Sequence, residues 1–95
     1  MAGKSYMALR TKVRSVKCTG FDFYGIVVVT TSETDANRVS REAKAKGFET
    51  TTQVIWEGEE YRVDVTVEKD SIATKAQFEK QVRAITNKMN EEQQS

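Results

Sequence analysis

Histidine and proline are absent from this 95-residue chain, and cysteine occurs once, at Cys18. Without imidazole there is no His general acid or base, no Ser–His–Asp triad and no His metal ligand. One cysteine excludes an intramolecular disulfide and every multi-cysteine zinc or iron–sulfur arrangement. The five glycines, Gly3, Gly20, Gly25, Gly47 and Gly58, are isolated from one another, so no glycine-rich phosphate loop is present. Long apolar runs are lacking too. Ile26-Val27-Val28-Val29 is the longest, whereas a membrane-spanning helix needs about 20 residues. Lys4 is followed by no apolar segment, and Leu9 sits among Arg10, Lys12 and Arg14, so no secretory leader is expected. These absences lead to the expectation of a non-catalytic cytoplasmic protein with no cofactor, no metal and no membrane partner.

What is present is the composition of a folded domain: 31% charged and 38% hydrophobic residues. The net charge of +1 conceals an asymmetry. Residues 1–48 carry nine Lys/Arg against four Asp/Glu, and residues 49–95 carry six against ten. Such a split favours nucleic-acid contact or head-to-tail association.

Along the chain, Leu9 to Cys18 reads as a first strand with Arg10, Lys12 and Arg14 alternating. Leu9, Thr11 and Val13 share one phase but Val16 and Cys18 share the other, which predicts a bulge. Phe23 to Thr31 is the strongest strand signal, apolar on both phases, as a central or doubly covered strand requires. Ser32-Glu33-Thr34-Asp35 supplies helix-start chemistry, and Gly47 after Lys44 and Lys46 supplies the stop, giving a helix over roughly 34–46. Phe48 to Trp56 returns as a strand. Tyr61, Val63, Val65 and Val67 then alternate with Arg62, Asp64, Thr66 and Glu68, a half-buried strand. Asp70 or Ser71 is expected to cap a second helix, whose buried stripe is Phe78, Val82, Ile85 and Met89.

The order ββαββα predicts an α+β two-layer sandwich: a four-stranded, mostly antiparallel sheet with two helices on one face, ferredoxin-like in spirit. One domain over residues 1–90 is expected, with residues 1–8 flexible and 91–95 a disordered tail. The opposite sheet face has no helix to cover it.

Two surfaces have partner-binding character. Arg10, Lys12, Arg14 and Lys17 on the first strand, with Arg38, Arg41, Lys44 and Lys46 on the first helix, could meet a phosphate backbone. Tyr6, Phe21, Phe23 and Tyr24 lie near them in sequence for base stacking. The plainer reading is that edge strands carry Lys and Arg to block edge pairing, and that the helix cations serve the helix dipole. Trp56, just before the turn Glu57-Gly58-Glu59, reads as a cap on the core or an anchor for a partner. The acids Glu57, Glu59, Glu60, Asp64, Glu68 and Asp70 read as a solvated hairpin and its flanks rather than a calcium loop. Cys18 reads as a packed small hydrophobe.

From Ile26 to about Ile85 the chain runs strand, Ser32-Glu33-Thr34-Asp35-Ala36-Asn37-Arg38, helix, Gly47-Phe48-Glu49, hairpin, Tyr61-Arg62-Val63, helix. In this it resembles the SPOR domains of bacterial cell-division proteins, a resemblance that implies a ferredoxin-like fold. That family's binding of peptidoglycan glycan is not carried over. The chain departs from the family in its extra basic strand in front, in having no strand after the second helix and in having no export signal.

The sequence therefore points first to a small interaction or regulatory protein, of the kind phages and accessory systems encode. It would bind another protein, or itself, through the open sheet face, a strand edge or Trp56. The alternative is a nucleic-acid-binding module built on the basic first strand and first helix.

Overall fold

The computed structural model describes residues 11–19, 22–55 and 60–94. Four strands, β1 (Thr11–Thr19), β2 (Phe23–Thr30), β3 (Glu49–Ile55) and β4 (Glu60–Glu68), form one antiparallel sheet in the order β1-β2-β4-β3. Helix α1 (Glu33–Ala45) connects β2 to β3, and α2 (Lys75–Gln94) follows β4 after a short 3₁₀ turn at Lys69–Ser71. Both helices pack on the same face, so the two-layer α+β sandwich is the architecture of the chain. β2 and β3 each run antiparallel to β4 and therefore parallel to each other. Hence β2–α1–β3 is a split βαβ unit with β4 inserted between its strands. β1 takes the remaining edge, beside β2.

The core lies between that face and the helices. Tyr24, Ile26 and Val28 on β2 stand opposite Val67, Val65 and Val63 on β4, and Val28, Val63 and Val65 are fully buried. Ala36, Val39 and Ala43 of α1 and the stripe Phe78, Val82, Ile85 and Met89 of α2 close over them. Phe78 is the hub. Its ring stacks on Tyr24 at 6.4 Å and meets Phe48 edge-on at 5.0 Å, both within the range of favourable ring geometry.

Local chemistry explains the element ends. The Asp35 amide donates to Ser32 Oγ at 3.3 Å, the cap expected for α1. At its other end Gly47 has φ +93°, and the amides of Gly47 and Phe48 donate to the Lys44 and Ala43 carbonyls. This is the Schellman arrangement, and its left-handed residue favours glycine. The predicted bulge is present as a register shift between Val13 and Ser15.

Helix α2 differs from expectation at both ends. Asp70 and Ser71 do not cap it; they fall in the 3₁₀ turn, and Thr74 Oγ1 accepts from the Gln77 amide at 3.0 Å. The chain needs those extra residues because the Lys69 amide first donates to the Asp22 carbonyl at 2.8 Å, tying the end of β4 back to the turn before β2. At the other end α2 continues to Gln94 instead of giving way to a tail at Glu91. Two tertiary contacts hold it there. Asn90 Nδ2 donates to the Thr11 carbonyl at 2.7 Å. Arg38 Nη1 and Nη2 donate to the two Glu92 carboxylate oxygens at 2.6 and 3.0 Å.

That clamp makes stability pH-dependent. The Arg38 hydrogen bonds hold the Glu92 carboxyl below its ordinary range against partial desolvation, and Lys88 adds to the effect. A carboxyl lowered in the folded state contributes stability above its ordinary value of about 4.3 and loses it as pH falls through the lower folded value. The melting temperature of the native chain should therefore exceed that of Glu92→Gln near neutral pH, and the gap should close on acidification. A gap independent of pH would mean that the clamp adds nothing through charge.

Candidate functional site

The sequence expectation of an uncovered sheet face is met, and its chemistry is mixed rather than basic. Register places Lys12 of β1, Arg62, Asp64, Thr66 and Glu68 of β4, and Glu49, Thr51 and Gln53 of β3 on the side away from the helices. Arg14, at the bulge, reaches across β2 to Glu60 at 3.8 Å. Arg62 Nε donates to Asp64 at 3.0 Å. Beneath these side chains Val27 and Val29 are only 3% and 2% exposed although no helix lies over them. Two cations of this face, Arg14 and Arg62, are thus already paired with acids.

The structure separates the residues that sequence reading grouped together. Lys12 and Arg14 belong to the helix-free face at the β1 edge. Arg38, Arg41, Lys44 and Lys46 belong to α1 and the turn after it, in the helix layer, with α1 packed over β3 and β4. The sheet stands between the two sets. Arg38 is further occupied, because besides Glu92 its Nε donates to Glu42 at 2.7 Å. Arg10, Trp56, Glu57 and Glu59 lie outside the described residues, as do the side chains of Lys17 and Cys18. Among the described residues no group of three or more Cys, Asp or Glu is placed to hold a metal ion, and no helix is long and apolar enough to cross a membrane.

The two sheet edges are unlike. β1 carries the bulge and, through Lys12 and Arg14, charge of one sign, both of which obstruct strand addition. β3 carries neither. From Thr50 to Ile55 it reads Thr-Thr-Thr-Gln-Val-Ile, with no charge and no bulge, and its residues pair one for one with β4. Thr51, Thr52, Gln53 and Val54 are exposed, Val54 to 62%. Among the described residues no strand pairs with its outer side. Sequence reading did not single this edge out, because a strand's place in the sheet is not written in its own residues. The signal that could have flagged it is the six-residue uncharged, β-prone stretch itself.

These features define a class, a small split-βαβ domain with one guarded and one unguarded sheet edge. Comparison with protein families, with curated proteins and with solved structures gives no match.

Proposed function

We propose that this chain is a non-catalytic cytoplasmic interaction module that takes up an extended protein segment along the outer edge of β3. The observation that carries the reading is the contrast between the edges: β1 is bulged and cationic, whereas β3 is regular, free of charge from Thr50 to Ile55 and exposed at residues 51–54. An added strand would gain main-chain hydrogen bonds from the free edge, and side-chain contacts at alternate positions would supply selectivity. The nucleic-acid alternative draws less support, because the cations it needs lie on opposite layers and two of them, Arg14 and Arg38, are paired with acids: Arg14 with Glu60, Arg38 with Glu42 and Glu92.

A synthetic peptide with the sequence of Glu49–Ile55 is a suitable probe, since any strand-accepting edge of this character should bind it. With isotope-labelled protein, peptide addition should shift the amide resonances of residues 50–55 and slow their hydrogen exchange, leaving β1 unaffected. No shift, or shifts confined to β1, would remove the reading.

A further inference from the structure

We infer that the segment taken up by β3 is β3 of a second copy of this chain, joining two sheets into one eight-stranded antiparallel sheet about a two-fold axis near Thr51. The inference rests on the edge reading above and names its partner. The stripe on α1 sets the axis, and the register it gives to β3 is compatible with pairing.

Ser40 Oγ of α1 and Thr50 Oγ1 lie 2.5 Å apart, which fixes the helix against β3. Glu33, Asn37, Ser40 and Lys44 recur at i, i+4, i+7 and i+11, a stripe within about 60° on the helix surface. That stripe lies on the β3 side of the helix, because Arg38 and Glu42 occupy the side facing α2. Glu33, Asn37 and Lys44 are exposed. A two-fold axis normal to the sheet would bring the α1 stripes of two copies face to face and antiparallel. Glu33 then meets Lys44 of the second copy, and Lys44 meets its Glu33. Asn37 and Ser40 meet in the middle. Both pairs share one midpoint on the helix, between Arg38 and Val39.

The helix midpoint lies about 2 Å along the axis from Ser40, less than one strand residue at about 3.3 Å. Because α1 and β3 run in opposite directions about the Gly47 turn, the axis meets the strand at Thr51. Pairing about Thr51 sets Thr50 beside Thr52 of the second copy and Glu49 beside Gln53, with no like charges opposed. It also sets Val54, the most exposed large hydrophobic residue described, beside Phe48 of the second copy. The axis set by the helix charges thus gives a strand register without opposed like charges, one self-complementary interface of the isologous kind.

Sedimentation of the full chain between about 1 and 300 μM should show a reversible dimer. Glu33→Lys and Lys44→Glu each oppose like charges across the axis and should weaken association about tenfold, while the double exchange restores it. Thr51→Lys, which sets two lysines against each other at the axis, should leave monomer whose melting temperature matches that of the native chain at concentrations too low for it to dimerise. A monomer throughout that range, a dimer indifferent to Thr51→Lys, or a double exchange that fails to rescue would each overturn the inference. If the Glu49–Ile55 peptide still binds β3 in that event, the edge reading stands and only the second copy is lost. If neither is seen, both fall.

Discussion

Phe78→Ala should remove most of the stability of this protein. The Phe78 side chain is fully buried and touches two other rings, Tyr24 from β2 and Phe48 from the turn before β3. It therefore links α2 to both halves of the split βαβ unit. Truncation of a buried Phe to Ala costs roughly 3–5 kcal/mol, part from lost transfer energy and part from the cavity left behind. Folded domains hold only about 5–15 kcal/mol in total, so little margin would remain. For a chain of this size the melting temperature should fall by on the order of 20 °C. Thermal unfolding followed by circular dichroism measures it. A loss below about 1 kcal/mol would mean that the three rings do not form the hub described.

The second large effect concerns the helix-free face and separates two neighbouring valines. Val27 stands between Ser15 and Asp64 in the sheet, whereas Val29 stands between Lys12 and Arg62. The two are almost equally buried. Val27→Asp sets a carboxylate directly across from Asp64, with no cation as its immediate cross-strand neighbour, and should cost roughly 3–5 kcal/mol. Val29→Asp makes the same chemical change between two cations and should cost roughly 1–3 kcal/mol less. Strand propensity and side-chain size change identically in both, so the difference isolates the electrostatics of the face. Urea unfolding of the two variants measures it. Equal losses would show that the charge rows do not reach the valines they flank.

The same rows explain why a basic first strand does not make a basic surface. Lys12 and Arg14 look unopposed in sequence, since the chain has no acid before Asp22. In the sheet, β4 brings Glu60, Asp64 and Glu68 onto their face, with only β2 between the strands, and Arg14 is already in contact with Glu60. Part of the charge asymmetry between the halves of the chain is thus met inside the fold, by Arg14–Glu60 and Arg38–Glu92. On the β3 side of α1 the charges Glu33 near its start and Lys44 near its end are exposed, an arrangement that complements itself when reversed.

Much of this was legible in the linear chain because the signals are local. Alternation in Tyr61–Val67 marks one buried face, since successive strand residues point opposite ways. The spacing of Phe78, Val82, Ile85 and Met89 marks one helix stripe, and all four are buried. The phase break between Val13 and Val16 announced the bulge, and Ser32 and Gly47 announced the ends of α1. The start of α2 was misplaced because Asp70, Ser71 and Thr74 are equivalent as caps until the Lys69–Asp22 contact selects the last. Its persistence past Asn90 was hidden because the contacts to Thr11 and Arg38 join residues 79 and 54 positions apart. Strand order lay further out of reach. Any two of these strands could pair by pattern alone, and only closure of both helices over one face puts β2 and β4 inside and β1 and β3 at the edges. Composition and periodicity therefore determined the elements, their buried faces and the two-layer class. Tertiary structure decided which strands lie at the sheet edges, because that depends on long-range pairing rather than on any segment's own residues.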